Sequence, residues 1–98
     1  MIIEKITGES MWSYAAEKVF LPLGMNSTGF NPAVWSQCAP TLKYGYPGWR
    51  DQIIRCKVHD PTAYILGGVS GNAGVFSTYK DLVTLMTMML NNGTYVDN

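Results

Sequence analysis

The pair His59-Asp60 offers the most direct route to acid–base chemistry in this sequence. An imidazole titrates near neutral pH and a carboxylate can orient it, but a catalytic arrangement also needs a nucleophile that the fold must place. Asp60 has a structural use as well. Followed by Pro61, it supplies the side-chain acceptor of a helix N-cap, with proline's preset φ at the first helical position. His59 therefore reads as a hydrogen-bonded structural histidine, and a place lining a substrate pocket is the alternative. A second candidate is Ser77-Thr78-Tyr79-Lys80, whose Ser-x-x-Lys spacing would let a lysine act as base for a nucleophilic serine. It falls at a helix start, where serine and threonine are favoured as caps, so capping is the reading adopted. Ser70-x-x-Ala73 shares the spacing and lacks the lysine. The run Gly68-Val69-Ser70-Gly71-Asn72-Ala73-Gly74 is not a phosphate-binding Gly-x-x-x-x-Gly-Lys loop, and reads as a tight turn feeding a helix.

Other classes of chemistry find little to work with. One histidine and two cysteines at no recognised ligand spacing do not build a zinc site, and no cofactor is expected. Cys38 and Cys56 read as free, partly buried thiols, a single disulfide in an oxidising compartment being the alternative. Asn26-Ser27-Thr28 and Asn92-Gly93-Thr94 match the glycosylation triplet, which is common by chance. Seven basic and seven acidic residues cancel, and no basic stripe is present, so neither nucleic acid nor an anionic membrane surface is the expected partner. No apolar run reaches the roughly 18 residues of a membrane span, and the N-terminus lacks the pattern of a secretory signal.

The elements that must hold these residues are mostly helical. Ile2 to Ile6 read as the last turns of a helix, with Gly8 as its left-handed cap. Ser10 caps a second helix through Val19, which Pro22 and Gly24 stop, and Leu21, Leu23 and Met25 are expected to anchor the turn. Residues 28–58 are irregular and rich in aromatics (Phe30, Trp35, Tyr44, Tyr46, Trp49), a stretch long enough to be functional or packed on something else. Asp60-Pro61 opens a short helix ending at Gly67-Gly68. Thr78-x-x-Asp81 reads as a capping box for the strongest helix, with Leu82, Leu85, Met86, Met89 and Leu90 on its apolar stripe, Met86, Met88 and Met89 as core filler, and Gly93 as its stop. Only 14% of residues are charged, against roughly 25% in an ordinary domain. A 98-residue chain has much surface to keep wet, so that deficit points to surface covered by other polypeptide, in an excised segment or an oligomer.

Several segments, in order, resemble one family. Ile2-Ile3-Glu4-Lys5-Ile6-Thr7-Gly8, then Pro22-Leu23-Gly24-Met25-x-x-Thr28-x-Phe30, are similar to the helix and turn of β-lactamase-related serine hydrolases. Ala39-Pro40-Thr41, Val58-His59-Asp60-Pro61-x-Ala63 and Gly67-Gly68-Val69-x-Gly71-x-Ala73-Gly74-Val75-Phe76-Ser77-Thr78-x-x-Asp81-Leu82 continue the match, toward penicillin-binding-protein-like esterases and D,D-peptidases. Asn72 stands where that branch usually shows histidine, and Cys56 where it commonly has glycine. The resemblance implies the mixed α/β transpeptidase-like fold, an antiparallel sheet flanked by helices with a mostly helical region. Residues 1–98 would be a partial domain from that helical region, mainly α with long loops. It also implies acyl transfer through a serine nucleophile, with Ser-x-x-Lys and Tyr-x-Asn upstream of this segment and Lys/His-Thr-Gly beyond it. Ser77-x-x-Lys80 falls on a different element from the family's nucleophile. No catalytic residue is therefore assigned here. By resemblance Asn72 and Ala73 lie at the substrate cleft, and His59 and Asp60 on a neighbouring support. The expected partner is the remainder of a parent hydrolase or a separate chain, with an oligomer as an alternative, and the parent belongs in the cell envelope, periplasm or secreted space. A noncatalytic interaction module on the same scaffold is the competing function.

Overall fold

The computed structural model describes residues 1–43 and 47–95, and the chain divides into two compact units: residues 1–29 with 77–98, and residues 30–76. Tyr44 and Tyr46, expected among the packed aromatics, lie outside the described residues.

The first unit is helical. Helix α1 spans Ile2–Thr7 and ends as its sequence demands: Gly8 takes φ +75° and its N–H reaches the Glu4 carbonyl. Ser10 Oγ accepts from Ser13 N at 3.1 Å and starts helix α2 (Met11–Ala15), which widens into a π-helical turn over Ala16–Phe20. The wider turn persists to the end of the element, with Leu21 N bonding Ala16 O and Met25 N bonding Phe20 O. Met25 is the anchor of the following turn at 2% exposure, whereas Leu21, expected beside it, stands 62% exposed. Trp12 lies so close to Gly29 that a Cβ there would come 2.6 Å from its ring, so a larger residue would have to push the indole aside.

The long helix of this unit, Tyr79–Leu90, begins at Thr78, whose side chain accepts from Asp81 N at 3.3 Å. The expected capping box is only half realised. The Asp81 carboxylate is buried and accepts from Ser27 N (2.9 Å) and Thr28 Oγ1 (2.7 Å), bonds spanning 54 and 53 residues of sequence. A carboxylate fixed by two donors ties the helix start to the turn after Met25. The apolar stripe corrects the sequence expectation: Leu82, Met86, Met89 and Leu90 are 45%, 56%, 62% and 84% exposed, so these residues do not fill a core of this chain. Helical spacing shows which residues share a face; what covers the face is a tertiary matter.

The second unit is built from irregular backbone pinned at a few points. Thr41 and Ile54 form an antiparallel bridge, and beside it Cys38 and Cys56 are joined as a disulfide with Cα atoms 5.4 Å apart, an ordinary separation. The expectation of free thiols is thereby overturned. The bridge brings together segments that are 18 residues apart at the cysteines, which spacing alone could not show. Phe30, Ile54, Val58 and Ala63 make the apolar interior of this unit around the bonded cysteines. Helix α3 (Pro61–Ile65) follows the cap residue Asp60, and the chain then turns at Gly67 and Gly68. Short strands β1 (Gly29–Phe30) and β2 (Val75–Phe76) pair as a two-stranded sheet. Among the described residues the result is mainly helix and loop with a two-stranded sheet.

Candidate functional site

The site residues expected from sequence all lie in the second unit, and two of them meet. Asp60 Oδ2 accepts from Ala63 N at 2.8 Å, as an N-cap should, and also from Asn72 Nδ2 at 3.0 Å. Asn72 Oδ1 in turn takes a 2.6 Å bond from the hydroxyl of buried Ser70. The donors and acceptors allow only this arrangement: a carboxylate cannot donate, so Asn72 turns its NH2 to Asp60 and its carbonyl oxygen to the serine. The two donors, the Ala63 N–H before the Asn72 amide, hold the Asp60 carboxyl below its ordinary value of 3.8.

This chain of bonds fixes the glycine-rich loop to the start of α3. Gly74, at φ +113°, packs so tightly that a Cβ would run into the carbonyl oxygen of Gly68. Asn31 Nδ2 adds a bond to Gly67 O at 2.9 Å. The loop is held from both sides, with Asn72 exposed and Ala73 half-buried on it.

His59 directly precedes the cap residue Asp60. Its side chain is exposed, and its backbone carbonyl takes a 3.0 Å bond from Arg50. The same guanidinium bonds the Val58 carbonyl and lies 3.9 Å over the Tyr64 ring. Arg50 thus clamps the irregular approach to Asp60 against α3, a role that sequence reading missed because nothing in its spacing pairs it with Tyr64. Beside this clamp, Asn31, Lys57, Val58, Tyr64, Gly67 and Gly68 line a cleft of about 260 Å³.

Among the described residues, neither serine of the candidate spacings is hydrogen-bonded to a base. The Ser77 hydroxyl lies 2.7 Å from Thr28 Oγ1 in the first unit, and among the described residues no hydrogen bond joins it to Lys80. Ser70 spends its hydroxyl on Asn72. Among the described residues no group of three or more His, Cys, Asp or Glu side chains could hold a metal ion, and no helix is long and apolar enough to cross a membrane.

Comparison with known proteins decides the relationship. The family profile described as Beta-lactamase matches residues 1–98. The chain belongs to the beta-lactamase family. Relatives from Escherichia coli (strain K12) and Escherichia coli O157:H7, each named "Putative D-alanyl-D-alanine carboxypeptidase", are 38% identical over 109 residues. A relative of the same name from Salmonella newport (strain SL254) is 38% identical over 107 residues. These alignments cover 96–98% of this chain and 25% of each relative, so the chain spans about a quarter of the length of the curated relatives it matches. No solved structure matches the chain significantly. Membership in the beta-lactamase family implies the transpeptidase-like fold, and a mainly helical segment with one small sheet is compatible with a piece of it.

Cys56 bears on its own departure from the family pattern. It adopts φ +55°, a left-handed conformation that glycine, the residue expected there from the resemblance, takes without strain. The disulfide to Cys38 holds the residue in place despite that cost.

Proposed function

We propose that this chain is the helical-region segment of a serine hydrolase performing acyl transfer, of the D,D-peptidase, esterase or β-lactamase type, and that it is inactive alone. The family match along residues 1–98, at a quarter of the relatives' length, carries this reading. Its polar cluster has the chemistry of a support. Asp60, Asn72 and Ser70 satisfy one another, and none is left poised to attack a carbonyl. In the assembled enzyme Asn72 and Ala73 form the rim of the substrate cleft, Asp60 fixes the loop that carries them, and His59 lies on the supporting element. The nucleophile and its bases come from the remainder of the parent or from a separate chain. The relatives' name favours a peptide ending in D-alanyl-D-alanine as the parent's substrate, and the Cys38–Cys56 disulfide favours an oxidising compartment such as the periplasm.

The test is hydrolysis of a chromogenic ester and of a chromogenic β-lactam by the 98-residue chain. No turnover above buffer is expected. Turnover abolished by a serine-acylating reagent would overturn the reading. The exposed stripe Leu82, Met86, Met89 and Leu90 favours a second function, a noncatalytic interaction module. A discrete, compact oligomer in sedimentation would support it over a piece awaiting its parent.

A further inference from the structure

A second concavity of about 290 Å³ lies in the unit of residues 30–76. Its lining includes Arg50, Arg55 and Lys57 and, among the described residues, no acidic side chain, so three formally positive residues border a small volume. The nearest acid in sequence, Asp51, turns an oxygen to Gly48 N at 3.3 Å. Both guanidinium groups lie over aromatic rings, the Arg50 Cζ 3.9 Å from the Tyr64 centroid and the Arg55 Cζ 4.2 Å from that of Trp35. A guanidinium held over a ring can still offer its edge, the part that forks onto a carboxylate, wherever no other acceptor takes it.

The two arginines differ in what they have left to give. Arg50 spends its terminal nitrogens on the carbonyls of Val58 and His59, which are neutral and leave its charge uncompensated. Arg55 Nε is buried with no acceptor among the described residues, a costly state for a charged donor. The pocket is braced by the Cys38–Cys56 disulfide and the Thr41–Ile54 bridge, each flanking Arg55 in sequence. Beside the charges stand apolar walls: Trp35 is 64% and Ile53 70% exposed. We infer that this pocket binds a small organic carboxylate, its charged end taken by Arg55 and Lys57 and its apolar body laid against Trp35 and Ile53. The inference does not depend on the hydrolase reading, because it uses no residue of the Asp60–Asn72 cluster.

The probe is sodium benzoate titrated into the 98-residue chain, followed through the indole N–H signals of its tryptophans. Saturable shifts at Trp35 are expected, with none from benzamide, the uncharged analogue. Arg55→Met and Lys57→Met should each weaken benzoate about tenfold, the size of one charge-assisted contact. Circular dichroism checks folding; Lys57 is exposed, so its variant carries the test even if Arg55→Met unfolds. Shifts that do not saturate, benzamide binding equal to benzoate, or undiminished binding by Lys57→Met would overturn the proposal. So would inorganic phosphate binding as tightly as benzoate, since that would make the apolar wall irrelevant.

Discussion

At the residue scale, one carboxylate in each unit joins segments that are distant in sequence. The Asp60 carboxyl is held below 3.8 by the Ala63 N–H and then the Asn72 amide, so folding favours its charged form. The resulting stabilisation is complete above pH 3.8 and is lost as pH falls below it through the folded value. Asp60→Asn keeps a cap acceptor but cannot titrate. Urea midpoints compared between about pH 6 and about pH 2 should therefore show a smaller acid loss in the variant than in the natural chain. Asp81 is buried and answers two donors, Ser27 N and Thr28 Oγ1. Its replacement by alanine leaves both without that acceptor and should cost about 2 kcal/mol in chemical denaturation.

At the element scale, the disulfide is the main constraint on a unit with little regular structure. Closing a loop across 18 residues should contribute about 3 kcal/mol on the chain-entropy account. Reduction should lower the urea midpoint accordingly and release the Thr41–Ile54 bridge, visible as faster amide exchange at Thr41, whose N–H bonds Ile54 O at 2.8 Å. Cys56 allows a sharper test because its φ is +55°. The double variant Cys38→Ser with Cys56→Gly should be more stable than Cys38→Ser with Cys56→Ser by about 1 kcal/mol, since glycine adopts that conformation without strain. Equal stabilities by denaturation would show that no strain is held there.

At the scale of the whole molecule, the dominant feature is apolar surface left in water. Leu82, Met86, Met89 and Leu90 follow helical spacing on the helix Tyr79–Leu90, yet each is exposed. A charge deficit in the sequence anticipates this, because a segment whose surface is normally covered has no need of lysines and glutamates. Leu90, at 84% exposure, should accept lysine with a stability change within about 0.5 kcal/mol. The same substitution should reduce self-association of the isolated chain in sedimentation velocity. If a parent's flanking segments are supplied in trans, Leu90→Lys should instead weaken their capture.

Sequence alone determined the local elements and the family. Gly8, Ser10, Asp60-Pro61 and Thr78 act through groups within four residues of themselves, and chemistry of that range is legible from spacing. The ordered beta-lactamase-related segments were legible for the same reason, as strings of residues. Contacts between distant segments were not. Spacing could not tell that Cys38 meets Cys56, that Asp81 abandons its box for Ser27 and Thr28, or that Arg50 stacks on Tyr64. The His59-Asp60 pair shows the division within two adjacent residues. The sequence supported Asp60 as a cap, but only the fold joins that carboxylate to Asn72 and the buried Ser70. Local hydrogen bonds follow from backbone geometry shared by all chains, whereas long-range ones depend on which loops close, and loop closure is decided by the packing of the whole unit.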